Sequence, residues 1–131
     1  EAIIRTVQTV ALHLGVPHSR VVLGGFSQGG IMALSLLRTQ PELLQAAMVM
    51  HSRLLPEVDA MAAPHEALAG KTLWVSHGLQ DGVIPLANAR EIRAKAATWP
   101  VALSYNEYPG AHEIRPAELQ AAMRWLGELA V

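Results

Sequence analysis

Three residue types that together can move an acyl group stand far apart in this chain, each just after an apolar run. Ser27 lies in Gly25-Phe26-Ser27-Gln28-Gly29, Asp81 in His77-Gly78-Leu79-Gln80-Asp81, and His112 in Tyr108-Pro109-Gly110-Ala111-His112. A serine hydroxyl is too weakly acidic to attack a carbonyl unaided, so a base must take its proton. His112 is the candidate base, and then the acid for the leaving group. Asp81 is the candidate carboxylate that fixes the imidazole tautomer and stabilises the imidazolium. The backbone N–H of Gln28 is the candidate oxyanion donor. It opens a helix, where donors are unpaired and the dipole end is positive. Taken alone, Ser27 also fits a blander description, a serine N-cap in a glycine-rich strand–helix turn.

Other residues compete for these roles. Asp59 is the only other aspartate and falls in an irregular stretch. His51 and His77 also follow apolar runs. His77 precedes Asp81 by four residues and is expected to shape that turn by hydrogen bonds. His51 is expected to be a pocket wall or a satisfied buried histidine. His65, Glu107 and Glu113 read as surface groups. No H-x-x-x-H or H-E-x-x-H spacing occurs, so no metal ligand is assigned.

The elements that must carry these residues follow from periodicity. Residues 2–14 place Ile3, Ile4, Val7, Val10, Ala11 and Leu14 at helical spacing, with His13 in the last turn and His18 in the loop beyond. Residues 21–26 are apolar on both faces, as in a buried parallel strand. The sharp turn at Ser27 leads into a helix over 28–38, and Gly25 and Gly29 are expected to remove a clash where strand and helix pass closely. Further strands are expected over 46–50, 72–76 and 101–108, the last more polar and at an edge. Helices are expected over 86–97 and 116–129. In the latter, Leu119, Ala122, Met123, Leu126 and Leu129 define the apolar face, flanked by Trp125. Residues 53–70 show no period, and a connection that long is functional or mobile. Such alternation predicts an α/β fold with a mostly parallel sheet and helices on both faces. Reactive residues in such a sheet gather at the C-terminal ends of the strands, where all three candidates fall.

Composition narrows the function. At 131 residues and 51% hydrophobic content, the chain reads as a single domain, 1–131, with a full core. Its net charge of −1 offers no basic stripe for nucleic acid. Without cysteine there is no disulfide or thiolate chemistry, which fits a reducing compartment. No apolar run reaches the ~18 residues of a membrane span, and no signal peptide is evident. The chain opens at Glu1 in what reads as mid-helix, so a longer protein is expected.

The motifs G-F-S-Q-G-G at 25–30, H-G-x-x-D-x-x-I-P at 77–85 and Y-P-G-A-H-E-I at 108–114 resemble those of the small carboxylesterase and acyl-protein thioesterase family. These are the phospholipase/carboxylesterases of the α/β-hydrolase fold. The motifs come in the family's order and span the chain from about residue 20. The resemblance implies Ser27 as nucleophile, Asp81 as acid, His112 as base and Gln28 as one oxyanion N–H. It further implies a cytoplasmic serine esterase or thioesterase that forms an acyl-enzyme on small-molecule esters of short to medium chain. No cofactor is implied, and a homodimer is common in the group. Leu54, Leu55, Met61 and Ile84 would supply an apolar acyl pocket, though the first three equally fit a plug of the core under a loop. Arg53 near the rim reads as a solvated side chain rather than a contact for an acidic substrate group.

One departure shapes the expectation. Family members open with further strands and an H-G-x-G loop that donates the second oxyanion N–H, and neither is found here. Loss of one such donor lowers turnover by roughly 10²–10³. The segment by itself is therefore expected to be catalytically weak unless an N-terminal portion or another chain completes it. The alternative is a non-catalytic α/β-hydrolase-like module that binds a ligand or partner through its rim. Peptidases and dienelactone hydrolases are weaker alternatives, the latter because they carry a cysteine nucleophile.

Overall fold

The computed structural model describes residues 21–129. The helix expected over 2–14, with His13 and His18, lies outside them. Four strands form one sheet in the order β1 (Val22–Phe26), β2 (Ala46–Met50), β3 (Thr72–Gly78) and β4 (Ala102–Tyr108). Every neighbouring pair is parallel. Each strand-to-strand connection carries helix: α1 (Gln28–Thr39), the short α2 (Pro56–Ala60) and α3 (Leu86–Ala96), with α4 (Pro116–Glu128) closing the chain. Parallel neighbours need such crossovers, because the chain must return to the same end of the sheet before each new strand. This is the α/β arrangement expected from the alternation.

The period of two along a strand divides the sheet into two cores. Ala47, Val49, Leu73 and Val75 face one side, against Leu34 and Leu37 of α1 and Ile92 and Ala96 of α3. Ala46, Met48, Met50 and Trp74 face the other, against Ala122 and Trp125 of α4. All five residues of β2 are buried, since helices cover both of its faces. β1 is only half-buried; among the described strands it pairs with β2 alone and so forms an edge. β4 is the opposite edge, as its polarity predicted.

Three elements differ from the sequence reading. β3 runs two residues further than expected because His77 and Gly78 continue to pair with Glu107 and Tyr108. The aperiodic stretch 53–70 holds α2 and a 3-10 turn at His65–Leu68, anchored by buried Val58 and Leu68. The third difference is the face of α4. Its buried stripe is Glu118, Ala122 and Trp125, whereas Leu119, Met123 and Leu126 are exposed. The helix is rotated so that Trp125 packs on Trp74 and Glu118 meets polar groups at the strand ends. Hydrophobic content pointed to the neighbouring stripe, while burial follows those contacts. No described helix is long and apolar enough to cross a membrane.

Candidate active site

The site lies at the C-terminal ends of the strands, where chain geometry brings loops from successive units together. Ser27 is the single residue between β1 and α1, and its backbone is forced to φ 59° and ψ −116°. A residue with a Cβ rarely adopts this conformation, and such strain persists only where the surroundings over-determine it. Here they do. Ser27 N–H donates to the Met50 carbonyl at 2.8 Å, and the hydroxyl of Ser52, just past β2, donates toward the Ser27 carbonyl at 2.8 Å. Glycine is needed at Gly25, where a Cβ would run into the backbone of Gly29. The second flank differs from expectation. A Cβ on Gly29 would meet nothing, whereas one on Gly30 would overlap the Ser52 hydroxyl. The close approach therefore spares room at 25 and 30, and Gly29 contributes only its backbone.

The hydroxyl, imidazole and carboxylate form a hydrogen-bonded series. Ser27 Oγ lies 3.0 Å from His112 Nε2, and His112 Nδ1 lies 2.7 Å from Asp81 Oδ2. Asp81 Oδ1 accepts the backbone N–H groups of Val83 at 2.8 Å and Ile84 at 2.9 Å. The loops bearing Asp81 and His112 are joined by backbone bonds, Leu79 N–H to Tyr108 O at 2.8 Å and Gln80 N–H to Gly110 O at 2.9 Å. Burial opposes ionisation of Asp81. Hydrogen bonds from His112, the Ile84 N–H, His51 and the Val83 N–H outweigh it and hold the carboxyl far below the usual carboxylate range. The ring of Phe26 packs 4.7 Å from that of His112. Gln28 N–H opens α1, where first-turn donors have no acceptor within the helix.

The competing residues are placed elsewhere or differently. Asp59 lies outside this cluster and pairs with Lys95 at 2.9 Å and Arg38 at 3.4 Å. His77 is fully buried and donates from Nε2 to the Ile84 carbonyl at 2.7 Å, so it does brace the Asp81 turn. Burial, the largest influence, lowers its pKa and keeps it neutral. His51 is also buried, with both nitrogens hydrogen-bonded, one to Asp81 and one to Glu118. His51 is thus the satisfied buried histidine of its two expectations, while its bond to Asp81 and the part played by Glu118 were not read from the sequence. The available signal was the pair His51 and Ser76, polar residues at the ends of buried strands that demand a polar partner from the covering helix. His51, Asp81 and His112 offer atoms within 4.8 Å of one another. These atoms are engaged in hydrogen bonds among themselves, so the trio reads as a hydrogen-bond chain.

Of the apolar residues expected around an acyl group, Leu54 is sunk in the main core and Leu55 packs half-buried against it. Ile84 is buried beside Asp81, and Met61 is 69% exposed.

Comparison with known proteins agrees with this architecture. Mouse lysophospholipase-like protein 1 is 27% identical over 129 residues, covering 86% of this chain and 48% of that protein. The chain thus spans about half the length of this relative. The crystal structure of a Bacillus cereus carboxylesterase superposes with a TM-score of 0.84 at 21% identity, over 96% of this chain and 57% of that one. A point variant of Arabidopsis thaliana SOBER1 superposes with a TM-score of 0.83 at 21% identity, over 97% and 61%. These likenesses establish the α/β-hydrolase fold. The sequence model of one family extends over residues 1–129, nearly the whole chain, and on that ground this protein belongs to the phospholipase/carboxylesterase family.

Proposed function

We propose that this chain carries the acyl-transfer centre of a serine hydrolase that cleaves carboxylic esters or thioesters through an acyl-enzyme. The observation that supports it most is the series Ser27 Oγ, His112 Nε2 and Nδ1, Asp81 Oδ2, at 3.0 and 2.7 Å. His112 Nε2 takes the Ser27 proton as Oγ bonds to the acyl carbon, and Asp81 stabilises the imidazolium so formed. The Gln28 N–H donates to the carbonyl oxygen as it gains charge. The C–O or C–S bond then breaks, and the leaving alcohol or thiol departs with the His112 proton. Water, deprotonated by the same imidazole, releases the acid and restores Ser27.

The substrates proposed are small esters or thioesters of short to medium acyl chain, with Ile84 and Leu55 on the apolar side of the site, while Leu54 stays in the core. A homodimer, common in the family, belongs to the same proposal, as does a reducing, cytoplasmic setting, which a chain without cysteine suits. A fluorophosphonate probe applied to the full-length protein should label Ser27. No labelling, or labelling that survives Ser27→Ala, would refute the reading.

A further inference from the structure

His51 is a buried titratable group that the reaction above does not use. It follows β2 directly, is 1% exposed, and holds a positive φ of 52°. Besides Ser27 it is the only described non-glycine residue with such a backbone. Strain of this kind persists where the surroundings insist on one side-chain direction. That direction places Nδ1 3.1 Å from Asp81 Oδ2 and Nε2 2.9 Å from Glu118 Oε1. A neutral imidazole has one N–H and one lone pair, so either neutral tautomer would aim its lone pair at a carboxylate oxygen. Only the doubly protonated ring donates to both.

Glu118 makes the same demand from the other side. It is 1% exposed in the first turn of α4, and its other oxygen accepts the Ser76 hydroxyl. A buried carboxylate needs a partner of opposite sign. His51 is in position to be that partner. The other titratable rings facing His51 are His77, stacked at 5.2 Å, and His112, edge-on at 5.8 Å. Burial pulls the His51 pKa down, yet the hydrogen bonds and charges of Glu118 and Asp81 outweigh it and leave it raised.

Building on the acyl-transfer reading, we propose that Glu118 and His51 are a buried positioning pair for that reaction. His51 is held as an imidazolium between two carboxylates and pins the Asp81 oxygen that orients His112. Asp81 Oδ2 is thus fixed from both sides, and the cation beside it moderates its attraction for protonated His112. The full series runs Glu118, His51, Asp81, His112, Ser27. It draws on α4, the end of β2, the loops after β3 and β4, and the turn after β1.

The test uses the full-length protein. In ¹⁵N-histidine NMR at about pH 8, well above the pKa of a free imidazole, both His51 ring nitrogens should carry protons. A neutral His51 there overturns the proposal, whether or not any variant folds. Glu118→Gln should lower the pH at which the second proton leaves; an unchanged midpoint also overturns it. With p-nitrophenyl butyrate, His51→Gln should lower kcat by roughly tenfold to a hundredfold with KM nearly unchanged. Its kcat/KM acid limb should move to higher pH, because a cation beside Asp81 is gone. A folded His51→Gln with wild-type kcat and an unmoved limb sinks the positioning role. Failure of the underlying reading looks different: wild-type Ser27 is then unlabelled by fluorophosphonate, and the positioning role falls with it.

Discussion

The Ser52 hydroxyl lies 2.8 Å from the Ser27 carbonyl, so the end of β2 braces the turn that follows β1. The same hydroxyl reaches the Met50 carbonyl at 2.8 Å, which in turn accepts the Ser27 N–H. The strained turn is thereby tied to the neighbouring strand by both its N–H and its C=O.

That brace leaves no room at position 30. Gly30→Ala should destabilise the protein by about 1–3 kcal/mol, the range for overpacking a filled site. Adding Ser52→Ala should recover only part of this, because the Gly25 carbonyl also lies 2.9 Å from the new Cβ. Urea unfolding of the single and double variants measures the coupling.

Asp81→Asn should leave the fold in place and lower kcat by about 10⁴, since an amide cannot hold His112 in the required tautomer. Ser27→Ala should remove acyl-enzyme formation. The double variant should be no slower than Ser27→Ala alone, because the residues act as one unit. Steady-state hydrolysis of p-nitrophenyl butyrate reads all three, and additive losses would argue against a shared mechanism.

The raised pKa of His51 makes part of the stability depend on pH. A group that binds its proton more tightly when folded contributes fully below its unfolded pKa, and loses that contribution as pH rises through its folded pKa. The Tm of the wild type should therefore exceed that of His51→Gln by most at about pH 5.5, and the gap should narrow toward about pH 9.5. Thermal unfolding at intervals between these limits checks the trend; a gap that widens with pH contradicts it.

Away from the site, Arg38 is 4% exposed, stacks 4.5 Å over the Trp99 ring and reaches Asp59 at 3.4 Å. Its Nε and Nη1 have no hydrogen-bond partner among the described residues. Asp59→Ala should destabilise by about 1–3 kcal/mol by leaving a buried guanidinium without its carboxylate. Lys95→Ala removes a more exposed partner of the same carboxylate and should change stability by less than Asp59→Ala does. Denaturant midpoints of the two variants decide the order.

Much of this architecture was legible along the chain. Val22–Phe26, Ala46–Met50 and 72–76 are largely apolar runs bounded by glycine, proline or polar turns, and each became a strand, the third running on to Gly78. The polar alternation of Ala102–Tyr108 marked an edge, because an edge strand keeps contact with water. Helix α4 was legible as a helix but not in its rotation. Leu119, Met123 and Leu126 outweigh Glu118, Ala122 and Trp125 in hydropathy, yet the second set is buried.

The linear order of residues determined that a hydroxyl, a carboxylate and an imidazole each follow a strand, and parallel strands deliver such positions to one rim. That follows from local periodicity and crossover geometry, both written in a single stretch of chain. Tertiary structure alone decided that Glu118 turns inward and that His51 meets two carboxylates. The reason is physical: a buried charge is stabilised by what lies within about 3 Å of it in space, and Glu118 and His51 are 67 residues apart along the chain.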